Sequence, residues 1–123
     1  MENIKKSMRY SDAELAEFKA IIDAKIAQAR EEFTYAKEQL IELNEEGEHS
    51  KLGDFESGST HSEREYLGQI MERQQKFIRS LEFALMRISN KTYGVCRVTG
   101  ELIDKRRLKL VPHTTLSVKA KNV

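Results

Sequence analysis

From Asp12 to about Asn44, apolar side chains fall at Leu15, Phe18, Ile22, Ile26, Ala29, Phe33, Ala36, Leu40 and Leu43, in steps of three and four. That spacing lines one face of an α-helix, with slight drift from a strict heptad near Ile26. Ser11, with Glu14 three residues on, reads as a capping box at the start, and neither Pro nor Gly interrupts the run. At 1.5 Å per residue such a helix measures roughly 50 Å. That is too long for a globule of 123 residues, so it is expected to project.

A second stripe runs from about Ser62 to Asn90 through Leu67, Ile70, Gln74, Phe77, Leu81, Ala84 and Ile88, widened by Met71, Ile78 and Leu85. Ser62 with Glu65, or Thr60 with Glu63, supplies its capping box. Gln74, the one polar residue in the seam, is expected to fix register, as buried amides do in coiled coils. The joining segment, about 45–61, holds Gly47, Gly53 and Gly58 and reads as a turn region. Two stripes of similar length joined by one loop bury each other by folding back, so the pattern predicts an antiparallel coiled-coil hairpin with this loop at its far tip. After Asn90 the period changes. Residues 92–106 alternate loosely about Thr99-Gly100, predicting a short β-hairpin, and a short helical segment then ends at Pro112. The expected fold is mainly α: a hairpin over 1–91 with a small C-terminal module over 92–123.

Charge sharpens this division. Residues 38–65 carry nine acidic side chains against Lys51 and Arg64, whereas 91–123 carry eight basic ones against Glu101 and Asp104. The net charge of +1 hides that separation, which bears on partners more than on fold. The single cysteine, Cys96, excludes an intrachain disulfide and suits a reducing cytoplasm. No apolar run approaches the ~20 residues of a membrane span, and the first ten residues lack the apolar core of a signal peptide. No Gly-rich phosphate loop or nucleophile–base–acid order appears, and His49, His61 and His113 are scattered, so an enzyme is not expected.

The module has the punctuation of a zinc knuckle. A structural zinc site takes four ligands, usually as two C-x₂-C pairs. Here those positions hold Cys96 and Thr99, then Ser117 and Ala120 after Pro112. One thiolate is too few, and His113 would add only a second donor. Zinc is therefore not expected, and no other cofactor is implied. Structural zinc supplies on the order of 10 kcal/mol. Nine apolar residues (Val95, Val98, Leu102, Ile103, Leu108, Leu110, Val111, Leu116 and Val118) at roughly 1.5–3 kcal/mol each are expected to replace it. Cys96 then reads as a small buried hydrophobe.

A helical hairpin followed by Tyr93, Gly94, Cys96, Gly100, Ile103, Arg107, Leu108 and Pro112 at these spacings resembles the DksA/TraR family of bacterial transcription factors, in which a coiled-coil hairpin carries a four-cysteine zinc finger. The resemblance covers the second helix and the module residue by residue, and the first helix by architecture. It implies a bacterial, cytoplasmic, non-enzymatic regulator that binds RNA polymerase and inserts the acidic tip of its hairpin into the secondary channel. Family members with that activity carry a D-x-x-D-x-A tip motif, which is absent here. The nearest acids are Asp54 and Glu56, preceded by Glu45, Glu46 and Glu48. Their expected role is electrostatic; the alternative is a solubilising loop. Phe55 reads either as a partner-binding anchor or as a cap on the hairpin seam. Lys105, Arg106 and Lys109 form a candidate basic surface, and Arg107 reads as structural, pairing with Glu101 or Asp104. The resemblance carries no residue assignment for the alarmone ppGpp. The alternative to polymerase binding is a hairpin interaction module, or a homodimer through Met71, Ile78 and Leu85. A monomer or weak homodimer is expected, with neither membrane association nor sequence-specific DNA binding.

Overall fold

The computed structural model describes residues 9–49 and 58–121. Among these residues four helices follow in order: α1 (Asp12–His49), α2 (Gly58–Ser89), α3 (Lys105–Leu110) and α4 (Val118–Lys121). The capping box at the start of α1 forms as the sequence predicts. The Ser11 amide donates to Glu14 Oε1 at 3.0 Å, and the Glu14 amide donates to Ser11 Oγ at 3.1 Å. α1 continues past Asn44 to His49, because Glu45 and Glu46 favour helix strongly enough to carry it over Gly47, a cost of about 1 kcal/mol. α2 begins at Gly58, two residues ahead of Thr60 and four ahead of Ser62, the two expected caps.

The chain divides into two compact units. In the first, Met1–Ile26 and Arg79–Val123 combine the start of α1, the end of α2 and the C-terminal module. Its interior is Leu15, Phe18, Ile22 and Ile26 from α1, Leu81, Ala84 and Ile88 from α2, and Tyr10, Tyr93, Cys96, Ile103 and Leu108 from the flanking segments. Among its described residues the second unit, Ala27–Ile78, contains only the two helices, and those that are apolar and buried are Ala29, Ala36 and Leu67. Within it Phe33, Leu40, Ile70 and Phe77 occupy the seam half-buried. Gln74 is also half-buried and donates from Nε2 to Glu32 Oε2 at 2.7 Å across the two helices, an antiparallel pairing. Among the described residues no helix is long and apolar enough to cross a membrane.

The expected β-hairpin does not form. Val95 and Leu102 make one isolated antiparallel bridge, and no strand forms among the described residues. The chain turns at both ends of this stretch, with φ of 80° at Gly94 and 75° at Gly100. The Arg97 amide then leaves the pairing for the Thr115 carbonyl at 3.0 Å, so the ladder cannot extend.

Candidate functional site

The module is pinned to the helices by two tyrosines. Tyr93 is fully buried, and its hydroxyl donates to the Pro112 carbonyl at 2.8 Å. Burial, the main cause, raises its pKa. Tyr10 is 6% exposed and its hydroxyl donates to the Ile103 carbonyl. Phe18 lies between them, with ring centroids 5.4 Å from Tyr10 and 5.3 Å from Tyr93. Gly94 is required beneath Tyr10, since a Cβ there would stand 2.6 Å from the Tyr10 ring. Sequence reasoning passed over Tyr10. The available signal was its place directly before the N-cap Ser11, where an apolar residue folds back as a hydrophobic staple.

The four positions of the knuckle frame do come together. The amides of Thr99 and Ser117 point at Cys96 Sγ, at 3.5 and 3.4 Å, and the Ala120 amide donates to Ser117 Oγ at 3.1 Å. Hydrogen bonds, from the Thr99 side chain first and then from the amides of Ser117 and Thr99, hold the Cys96 thiol down to about 6 against the opposing effect of burial. Cys96 is 1% exposed, as expected of a core residue. One thiol, two hydroxyls and a methyl are not a zinc donor set, so the residues present do not fit the metal. Among the described residues no cluster of three His, Cys, Asp or Glu is placed to hold a metal ion.

Of the nine apolar residues expected to replace zinc, Ile103 and Leu108 are buried, and Val95, Leu102, Val111 and Leu116 are half-buried. Val98, Leu110 and Val118 are 64%, 80% and 53% exposed, so they contribute little. Their place is taken by Tyr10, Tyr93, Phe18 and Pro112, and by side chain–backbone hydrogen bonds. Arg107 is one such brace, but its partners differ from expectation. Nε donates to the Leu116 carbonyl at 2.9 Å and Nη2 to Thr114 Oγ1 at 3.4 Å, rather than to Glu101 or Asp104.

The candidate basic surface is unequal. Lys105 pairs with Glu14 and sits 6.0 Å from the centroid of the Tyr10 ring, which ties it to the start of α1. Arg106 is 3.7 Å from Asp104, with its side chain 91% exposed, and Lys109 is exposed. At the other candidate site, Glu45 is exposed and Glu46 and Glu48 lie on the last turns of α1. Asp54, Phe55 and Glu56 lie outside the described residues. Met71, Ile78 and Leu85 are half-buried.

Residues 91–123 match the family model described as "Prokaryotic dksA/traR C4-type zinc finger". The chain is 36% identical over 86 residues to the RNA polymerase-binding transcription factor DksA of Caulobacter vibrioides, in each of two strains. That match spans 69% of this chain and 59% of the relatives' length. The solved structure of transcription factor DksA2 from Pseudomonas aeruginosa superposes with a TM-score of 0.82 at 26% identity, covering 96% of this chain and 86% of that one. With the paired helices and the knuckle frame of Tyr93, Gly94, Cys96, Gly100, Arg107 and Pro112 both in place, the chain is similar to the DksA/TraR family in its helices and in its module.

Proposed function

We propose that this chain is a bacterial, cytoplasmic regulator of transcription that catalyses no reaction and acts by binding RNA polymerase. The observation that carries the reading is its 36% identity to a relative whose name states that it binds RNA polymerase, combined with a shared fold over 96% of the chain. The manner of binding follows from charge. The segment around the α1–α2 connection is acidic and the module is basic. Asp54 and Glu56, with Glu45, Glu46 and Glu48 leading to them, form the end that enters the polymerase secondary channel, where carboxylates meet a metal-centred or strongly basic surface. Phe55 between them is a contact with the channel wall or a cap on the helix pair. Arg106 and Lys109, the exposed basic residues of α3 that do not pair with α1, face acidic groups on the polymerase exterior. The module folds without zinc, held by the Tyr10–Phe18–Tyr93 cluster and by the hydrogen bonds that converge on Cys96.

The test is binding of the purified chain to bacterial RNA polymerase, repeated with Asp54→Ala and Glu56→Ala together. Binding by the wild type and its loss in the variant is the expected result. Binding indifferent to the tip would remove the insertion step, and no binding at all would remove the function. Stoichiometric zinc by elemental analysis, or unfolding on addition of a chelator, would overturn the metal-free module.

A further inference from the structure

Tyr35 and Tyr66 are 57% and 60% exposed, two rings that the helix seam does not use. They stand beside a groove of about 680 Å³ between α1 and α2 within the Ala27–Ile78 unit. The groove exists because the stripe there is thin. Ala36, a small side chain, shares the floor with Leu67 and Ile70. The rim carries three carboxylates, Glu31, Glu32 and Glu63, against one cation, Arg73. Glu32 already accepts from Gln74, whereas Glu31 and Glu63 are exposed beside the tyrosines. A second, shallower hollow beside Tyr35 adds one acid, Glu38, and one cation, Arg30, so the excess of carboxylates lies in the larger groove.

We propose that this groove is a docking site for an arginine-bearing protein segment, contributed by the polymerase and separate from the contact at the acidic end. This rests on the polymerase-binding reading above. An arginine satisfies every part of the groove at once. Its planar guanidinium stacks on a tyrosine face, its N–H fork meets a carboxylate, and its apolar stem lies along Ala36 and Leu67. Lysine offers a strongly hydrated point charge and no plane to stack, so it fits less well. Nucleic acid is disfavoured by the carboxylate rim, which repels phosphate.

The decisive measurement is the Kd for bacterial RNA polymerase core enzyme, by competition, for the wild type, the Asp54→Ala, Glu56→Ala pair and three further double variants. Tyr35→Ala with Tyr66→Ala is expected to weaken binding by about tenfold or more, with helical circular dichroism unchanged because both rings are exposed. Tyr35→Phe with Tyr66→Phe keeps the stacking faces and is expected to stay within about threefold of wild type. Glu31→Lys with Glu63→Lys is expected to weaken binding further and to flatten its dependence on salt. If the Tyr→Ala pair binds like the wild type while the Asp54→Ala, Glu56→Ala pair fails, the groove assignment is wrong and the polymerase reading stands. If the wild type itself does not bind, both fall. A Tyr→Ala pair that leaves Kd unchanged but converts a dimer to a monomer by light scattering would assign the groove to a second copy instead.

Discussion

The same three-four spacing of apolar residues runs the length of α1, yet its two halves are buried to different depths. Leu15, Phe18, Ile22 and Ile26 are at most 6% exposed, whereas beyond them only the small Ala29 and Ala36 are buried and the larger Phe33, Leu40 and Leu43 are half-buried. The difference lies in what surrounds them. Among the described residues of the Ala27–Ile78 unit two helices have only each other, and on α1 that pairing covers a large seam side chain from one side. In the other unit the C-terminal module adds Tyr10, Tyr93, Ile103 and Leu108 as a further layer, so the seam residues there are enclosed. Periodicity reports which way a side chain faces. How deeply a large one on α1 is buried depends on a third element.

The largest expected effect tests that contrast directly. Phe18→Ala removes a ring that touches Tyr10 and Tyr93 and should cost about 3–5 kcal/mol. Phe33→Ala, the same change in the two-helix unit, should cost only about 1–2 kcal/mol because the ring is already half in water. Denaturant unfolding followed by circular dichroism measures both. Equal losses would mean that the two units share one evenly packed seam. Hydrogen exchange sharpens the point, since amides around Ile22 and Leu81 should open at higher free energy than those around Ala36 and Ile70.

The helices were legible because a long amphipathic stripe fixes both element type and facing. Their ends were less so: α1 runs through Gly47, which costs too little to stop a helix that glutamates favour on either side. The module was legible as a frame, since Gly94, Gly100 and Pro112 mark backbone that few other residues allow. Its strand character was not. Alternation predicted a hairpin, but whether a ladder propagates depends on where each amide finds its carbonyl, and Arg97 finds Thr115, 18 residues away. Nor could composition say which apolar residues replace a metal. Leu110 was counted among them and Tyr10 was passed over, and only their position relative to the helices sends the first to solvent and the second to the core. The acids of the connecting segment were readable as charge, and charge alone names no geometry.

Within the module-bearing unit, two glycines separate backbone strain from crowding. Gly94→Ala places a Cβ into the Tyr10 ring at a positive φ, and is expected to cost about 2–3 kcal/mol. Gly100→Ala has a similar φ of 75° but nothing within 4 Å of the new carbon, so only the conformational cost, about 1 kcal/mol, should appear. Thermal unfolding of the two variants side by side measures the difference. If Gly94→Ala were no worse than Gly100→Ala, Tyr10 would not be packed over the module.

Smaller still are the two hydroxyls. Tyr93→Phe leaves the Pro112 carbonyl without its buried donor, and Tyr10→Phe does the same to Ile103, each at about 1–2 kcal/mol. Both rings remain, so the fold should persist with a lower unfolding midpoint. Tyr66→Phe in the two-helix unit, where the ring is 60% exposed, should leave the midpoint unchanged. A matching loss there would show that the hydroxyl effect is general and does not arise from burial.

The smallest effect expected is electrostatic, and it also divides the two units. Glu14 is held down to about 2, chiefly by its hydrogen bond to Lys105 and then by Ser11. An unfolded glutamate titrates near about 4.3. Because the folded value is the lower one, the stabilisation is fully present above that pH and disappears as pH falls from there towards 2. Glu14→Gln keeps a side chain able to cap Ser11 but loses the ion pair that ties α3 to the start of α1. Its unfolding temperature should lie on the order of a few degrees below wild type at pH 7, and the two curves should converge as pH approaches 2. Glu72→Gln breaks a 3.2 Å pair with Lys76 on the two-helix unit, where both side chains are about 70% exposed. An exposed pair four residues apart on one helix contributes little, so that variant should track the wild type at every pH. If Glu72→Gln lost as much as Glu14→Gln, proximity of charges alone would account for both. A gap between them that closes in acid would instead locate the stabilisation in the joint between the module and α1.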